Sequence, residues 1–153
     1  MKKLNNKGFS LVELIIVIAI MAILVGVVGT QVIPYMENSR KAKDQQIISS
    51  WNTAAMSAYS NAAAKIRSDA DYTIEITVGD PSSVSVSSTK SDTDGINSIK
   101  HYFEELTEIN TFRKSDKMVS KAGKAITSVK CEIKSNGQII TTTTGGDFDV
   151  IEN

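Results

Sequence analysis

The stretch KGFSLVELIIVIAIMAILVGVV, Lys7–Val28, decides the fold of this chain, because it opens an apolar run that extends to Ile33. The clearly polar residues between Phe9 and Ile33 are Ser10, Glu13, Thr30 and Gln31. A helix of this length spans about 37 Å, which is enough to cross a hydrocarbon core of roughly 30 Å. We therefore expect a helix of membrane-spanning length at this end of the chain.

The residues before the run are basic, with lysines at positions 2, 3 and 7. A lysine cluster ahead of a first apolar helix favours a cytoplasmic N-terminus. An uncleaved signal anchor and a cleaved secretory signal are both possible interpretations. The cleaved signal is disfavoured, because the apolar region exceeds the usual length of about 7–15 residues and no convincing A-x-A cleavage site follows it. A single-pass membrane segment with its N-terminus inside is the prediction.

Glu13 is out of place in such a segment, because Val12 and Leu14 on either side of it are apolar. A carboxylate at the centre of a transmembrane helix costs about 2.5–3.5 kcal/mol, and less near the end of the bilayer. A plain anchor has no need of this residue. We therefore expect Glu13 to serve a purpose other than insertion.

The residues Lys7–Leu14, KGFSLVEL, resemble the prepilin motif of type IV pilins, with its class III-type N-terminal methylation signal. In that family a short basic leader is cut after a glycine, and the new N-terminal residue is N-methylated. The resemblance implies cleavage between Gly8 and Phe9 and methylation at Phe9. It also implies that Glu13 acts in assembly, where its carboxylate would meet the Phe9 amine of a neighbouring subunit.

The resemblance divides the chain into a leader at 1–8, a transmembrane and filament-core helix at 9–34, and a soluble head at 35–153. Pro34 comes later than the proline found in many relatives, and Gly26 and Gly29 are poor helix formers upstream of it. We expect a kink at Pro34 and a loosening of the helix between residues 22 and 31. Many relatives carry a cysteine pair, but Cys131 is alone and is predicted to be a small buried hydrophobe.

The helical pattern continues beyond Pro34, which predicts a long helix from about Phe9 to Arg67. One face is apolar, with Ile47, Ile48, Trp51, Ala54, Ala55, Ala58, Tyr59, Ala62 and Ile66 at helical spacing. The opposite face is predicted to be solvated, with Lys43, Asp44, Gln45, Ser49, Ser50 and Asn61. The apolar face predicts packing against a head domain.

The rest of the chain predicts a small antiparallel sheet. Strands are expected at Tyr72–Val78, Met118–Ser120, Ala125–Lys134 and Gln138–Thr144, and a hairpin turn is expected at Asn136-Gly137. Asp80-Pro81 is predicted to form a turn, and residues 82–95 a serine-rich loop. A helix is expected next, with Ile96, Ile99, Phe103, Leu106 and Ile109 on one face and Asp92 or Asp94 as its cap. The fold class is therefore α+β: a long N-terminal helix packed on a small C-terminal antiparallel sheet, pilin-like.

Catalysis is poorly supported by the sequence, and no catalytic, metal or cofactor site is predicted. His101 is expected to be a solvated or packed helix residue. The D-x-D-G of Asp92–Gly95 is expected to be a cap and turn, with a calcium loop as the alternative. The formal net charge is zero, so the composition does not indicate nucleic acid as a partner.

We predict a structural protein and not an enzyme: a major pilin that polymerises with copies of itself. The resemblance implies a prepilin peptidase and methylase and a pilus assembly machinery as partners. It places the chain in the cell membrane before assembly and in an extracellular pilus for adhesion or motility afterwards. The alternatives are a pseudopilin of a type II secretion or DNA-uptake system, or a signal-anchored enzyme or binding domain.

Overall fold

The computed structural model describes residues 9–152, so the predicted leader at 1–8 lies outside the described residues. The chain divides into two compact units, and the boundary between them falls between Glu37 and Asn38. The boundaries predicted from the resemblance, at 8/9 and 34/35, stay predictions.

The first unit is helical from Leu11 to its end. Helix α1 spans Leu11–Val27, a π-helical segment spans Val28–Val32, and α2 begins at Ile33. Among the described residues, the helical stretch Leu11–Asn61 is the one long and apolar enough to cross a membrane. This element confirms the long N-terminal helix predicted from the apolar run.

Helix α2 spans Ile33–Asn61, and its second half belongs to the core of the second unit. Ile48, Trp51, Ala55 and Ala58 are buried, which confirms the predicted apolar face. The helix ends six residues before the predicted Arg67. The backbone N–H of Arg67 donates to the Tyr72 hydroxyl at 2.8 Å, so a side chain from outside the helix occupies the donor that a further helical turn would use.

The second unit contains a five-stranded antiparallel sheet in the order β2-β1-β3-β4-β5. The strands are β1 Tyr72–Thr77, β2 Ser83–Ser88, β3 Ser128–Ile133, β4 Ile139–Thr144 and β5 Ile151–Glu152. Gly137, with φ +89°, lies in the turn between β3 and β4, as predicted for Asn136-Gly137. Asp80-Pro81 also lies between strands and has a cis peptide bond.

Helix α3 spans Thr93–Thr107, and Asp92 caps it by accepting a hydrogen bond from the Gly95 N–H. Ile99 and Phe103 are fully buried, as predicted for the apolar face, whereas Leu106 is exposed. Ile109 is buried but lies in a separate 3₁₀ turn, Ile109–Thr111.

Two predictions about the sheet are wrong. The serine-rich loop contains strand β2, because Val84 and Val86 alternate with serines and lie opposite Ile76 and Ile74 of β1. The strand predicted at Met118–Ser120 is absent, because the Val119 and Ser120 N–H groups donate to an α2 side chain instead of a neighbouring strand. The short helices α4, Lys114–Lys117, and α5, Lys121–Ala125, flank that segment.

The core of the second unit joins one face of the sheet to α2 and α3. Its largest fully buried side chains are Tyr72, Phe103, Ile48, Ile74, Ile76, Ile99, Ile109, Met118, Ile126, Ile133, Ile139 and Val129. Helix α2 contacts the sheet through the rings of Tyr59 and Tyr72, whose centroids are 5.9 Å apart. The fold is therefore α+β and pilin-like, as predicted.

Candidate functional site

The predicted processing and assembly residues lie at the start of the described chain. Phe9 and Ser10 precede α1, and the Phe9 side chain is 89% exposed. The Glu13 carboxylate lies in the first turn of α1 and accepts a hydrogen bond from the Ser10 N–H at 2.9 Å. Glu13 thus satisfies one of the backbone donors that a helix N-terminus leaves open. Gly8, the predicted cleavage residue, lies outside the described residues.

The first unit presents an apolar surface without a partner inside the described chain. Every large hydrophobic side chain from Phe9 to Met36 that the structure describes is at least 41% exposed. These side chains are Phe9, Leu11, Val12, Leu14, Ile15, Ile16, Val17, Ile18, Ile20, Met21, Ile23, Leu24, Val25, Val27, Val28, Val32, Ile33, Tyr35 and Met36. A continuous apolar surface of this kind is stable only against lipid or other apolar protein. This surface and Glu13 make up the candidate site.

The residues predicted to loosen the helix lie around the π-helical segment Val28–Val32. Gly26 lies in α1, Gly29 lies in the π segment, and Pro34 is the second residue of α2. Pro34 has no N–H, so it cannot donate to the carbonyl four residues earlier. The Thr30 hydroxyl donates to the Gly26 carbonyl at 3.0 Å, which satisfies one carbonyl that the altered winding affects. Kinking and loosening at these residues stay predictions.

A buried charge on α2 differs from the expectation. The sequence pattern places Asp44 on the solvated face, but the structure shows it fully buried. Its carboxylate accepts hydrogen bonds from the Val119 N–H at 3.0 Å, the Ser120 N–H at 2.8 Å and the Ser120 hydroxyl. The Ser120 hydroxyl in turn accepts from the Gly123 N–H at 2.8 Å. Asp44 thus attaches α2 to the segment that leads into α5.

The sequence contains a signal for this residue. Asp44 precedes Ile48 by four residues, and residues four apart lie on the same face of a helix. Asn52, four residues after Ile48, is also buried, and its side-chain oxygen accepts a hydrogen bond from the Thr141 hydroxyl of β4 at 2.8 Å. The apolar face of α2 therefore includes two polar positions that bind other elements of the head.

A second polar cluster joins α3 to the start of the sheet. The Asp92 carboxylate accepts hydrogen bonds from the Tyr72 hydroxyl, from the Gly95 N–H at 3.1 Å and from the Arg67 N–H at 3.2 Å. These donors, with the Tyr72 hydroxyl foremost, lower the pKa of Asp92 below its usual value. Nearby, Lys90 and Arg67 lower the pKa of Asp69 to about 2.

These depressed pKa values predict acid sensitivity of the head. A carboxyl group whose folded-state pKa lies below its unfolded value stabilises the fold fully above the unfolded pKa of about 4, and this contribution is lost as the pH falls towards about 2. We expect the melting temperature to fall as the pH is lowered over this range. The slope of melting temperature against pH should be shallower in Asp92→Asn than in the wild type. Thermal unfolding by circular dichroism at a series of pH values measures both slopes. Superimposable profiles for the variant and the wild type would refute the role of Asp92.

His101 and Cys131 were the other residues considered for catalysis or metal binding, and both lie in surroundings typical of residues with a structural role. His101 is exposed on α3 and lies 4.0 Å from a Glu105 carboxylate oxygen. Cys131 is buried in β3, and burial raises the pKa of its thiol to about 11. Residues 9–152 contain no group of three or more histidine, cysteine, aspartate or glutamate side chains that could hold a metal ion.

The comparisons with known proteins bear on the N-terminal segment alone. A family model described as the prokaryotic N-terminal methylation motif matches residues 3–29. This motif is the type IV pilin and prepilin signature, so the chain carries the signature that the KGFSLVEL stretch resembles. It supports a type IV pilin-like or pseudopilin-family protein, and it marks a structural family and not an enzyme family. No curated protein and no solved structure matches the chain.

Proposed function

We propose that this chain is a major pilin: the subunit of a type IV pilus, polymerised through its N-terminal helix. The motif implies processing by a prepilin peptidase and assembly into pili or related machinery. The proposed cut lies between Gly8 and Phe9, and the proposed methylation is on the new N-terminal nitrogen of Phe9. Residues 9–34 form the membrane segment before assembly, and residues 35–153 form the head.

The observation that carries the proposal is the unpartnered apolar surface of the first unit, with Glu13 near its start. Lipid can cover this surface in the membrane, and copies of the same helix can cover it in a filament. In a bilayer a carboxylate on this surface is only a cost. Between packed helices it has a use, because cleavage gives Phe9 a positively charged amine four residues from Glu13.

The charge pair would act as a register device. In the uncleaved chain the Phe9 nitrogen is an uncharged amide, and Glu13 accepts a hydrogen bond from the backbone at Ser10. After cleavage, the Phe9 amine of one subunit and the Glu13 carboxylate of a neighbour can pair between helices that exclude water. Leaving either charge unpaired there is costly, so subunits would stack only where both are satisfied. An unprocessed subunit lacks one of the two charges and would not dock.

The proposal places the protein in two locations in turn. The apolar helix and the motif fit a membrane-anchored protein. We propose that its N-terminus is cytoplasmic before assembly, and that the assembled pilus is extracellular and serves surface attachment or motility. A pseudopilin of a secretion or DNA-uptake system shares the motif, and a filament assay separates the two roles.

The experiment that tests the proposal compares surface filaments of wild-type cells and of cells that lack this gene. Filaments are sheared from the cells, imaged by electron microscopy and identified by peptide mass spectrometry. We expect filaments composed mainly of this chain in the wild type and none in the deletion strain, with recovery on complementation. Wild-type filaments that lack the chain, or that persist in the deletion strain, would contradict a major pilin.

A further inference from the structure

A cleft of about 480 Å³ lies in the second unit between helix α3 and the turn that follows α2. Its walls are Lys65 from the turn and, from α3, Asp94, Asn97, Ser98, His101 and Tyr102. The α3 residues recur at three- and four-residue spacing, so they form one polar stripe along the helix. We refer to these six residues as the α3 cleft.

The hydroxyl of Ser98 is the feature that needs an explanation. Ser98 is only 8% exposed, yet within the part of the chain that the structure describes its hydroxyl makes no hydrogen bond. No fully enclosed side-chain oxygen or nitrogen of the described residues lacks a partner, so the small exposed part of Ser98 includes its hydroxyl, which opens into the cleft. The nearby Asp92, in contrast, accepts three hydrogen bonds. The cleft therefore contains a hydrogen-bonding group that the described protein leaves open to a ligand.

Four other polar side chains that line the cleft resemble Ser98 in having no partner within the described residues. Among residues 9–152, the side chains of Lys65, Asp94, Asn97 and Tyr102 make no hydrogen bond or ion pair. Together with Ser98 they supply an ammonium donor, a carboxylate acceptor, an amide that does both, and two hydroxyls. Donors and acceptors therefore converge on one volume, which falls within the range of about 300–1,000 Å³ typical of small-molecule sites.

The aromatic groups add an apolar wall. The rings of His101 and Tyr102 have centroids 5.6 Å apart and are inclined at 50°. Tyr102 is half-buried, so its ring is held in place while part of it faces the cleft. A ring beside donors and acceptors matches the chemistry of a pyranose, which has an apolar C–H face and hydroxyls that both donate and accept.

We propose that the α3 cleft binds a neutral saccharide of one or two pyranose rings. The Ser98 hydroxyl, the Asn97 amide and the Asp94 carboxylate bond the sugar hydroxyls, Lys65 donates from the opposite wall, and the Tyr102 ring stacks on the sugar. The single positive charge of Lys65 is balanced by the negative charge of Asp94, which favours a neutral ligand over an anionic one. The inference does not depend on filament formation, because all six residues belong to one head.

The test uses the full chain in micelles of a phosphocholine detergent, which has no sugar headgroup. Methyl glycosides of glucose, galactose and N-acetylglucosamine are titrated and followed by the backbone amide shifts of residues 94–102. We expect at least one glycoside to give saturable shifts there at millimolar concentration. Ser98→Ala should weaken this binding about tenfold without lowering the melting temperature, because it removes a hydroxyl that has no partner in the protein. Tyr102→Ala should abolish binding.

The matched control is Ser49→Ala on α2, where the hydroxyl already donates to the Gln45 carbonyl at 2.9 Å. This variant should bind the glycoside with unchanged affinity. The proposal is overturned if none of the glycosides shifts the α3 amides, or if Ser98→Ala binds as tightly as the wild type. It is also overturned if sodium acetate or glycine gives the same shifts at the same concentration, since a small charged solute would then be the better ligand.

Discussion

Replacing Glu13 with glutamine is expected to remove surface filaments while the subunit stays in the membrane. The reason is the proposed pairing of the Glu13 carboxylate with the Phe9 amine of a neighbour between packed helices. Breaking such a pair leaves a buried charge and costs about 3–5 kcal/mol. At about 1.4 kcal/mol per tenfold, subunit docking would weaken by more than about a hundredfold. Sheared-filament yield, at equal subunit level in the membrane fraction, measures the effect.

Glu13→Gln tests the charge of Glu13 separately from its role as a hydrogen-bond acceptor, whereas Glu13→Val tests both at once. The side-chain oxygen of glutamine can still accept the Ser10 N–H, which Glu13 accepts at 2.9 Å, so the start of α1 stays capped. Glu13→Val loses both the charge and this acceptor. If the charge matters, both variants lose filaments; wild-type filament yield in Glu13→Gln would show that the charge pair has no part in assembly.

Asp44→Ala is expected to destabilise the head more than any other single substitution of a charged residue in the second unit. It removes the acceptor of the Val119 N–H and the Ser120 N–H. Each donor left without a partner costs about 1–3 kcal/mol, so for the two donors together we expect a loss of about 2–6 kcal/mol in the free energy of unfolding. Urea unfolding of the full chain in micelles measures it, with the fluorescence of the single tryptophan, Trp51, as the signal.

Two further variants test this interpretation. A Cβ added at Gly123 would lie 2.1 Å from an Asp44 carboxylate oxygen, so Gly123→Ala should also destabilise the head. The control is Asp147→Ala, which removes an exposed carboxylate whose partner is Lys41 at 3.1 Å, and its unfolding midpoint should stay close to that of the wild type. An Asp44→Ala midpoint that matches that of Asp147→Ala would contradict the buried-anchor role.

The periodicity of the sequence is sufficient for the long N-terminal helix, for α3 and for strands β1, β3 and β4, whereas the short helices α4 and α5 and strand β5 were not predicted. Ile48, Trp51 and Ala55 have helical spacing and are buried, and the strands around Ile74 and Cys131 follow from alternation. Strand β2 could not be predicted from its composition, because its serines favour a loop. The alternation of Val84 and Val86 is the weaker signal there, and the pairing of β2 with β1 determines the structure.

Asp44 could not be assigned its partners from local sequence. Its hydrogen-bond donors lie 75 and 76 residues further along the chain, and only the folded head brings them to α2. Helical spacing from Ile48 indicates the buried face, but a carboxylate is stable there only with those donors. At the N-terminus the reverse holds. The sequence motif predicts the roles of Gly8, Phe9 and Glu13 directly, but the partners that we propose for Phe9 and Glu13 lie in other subunits.

The most direct test of the central claim is the intact mass of the subunit recovered from sheared surface filaments. We expect one chain that begins at Phe9, lacks residues 1–8 and carries one additional methyl group. Fragmentation should place that methyl on the N-terminal nitrogen of Phe9. A filament subunit that still begins at Met1, or that begins after a cut near Gly29, would contradict the claim.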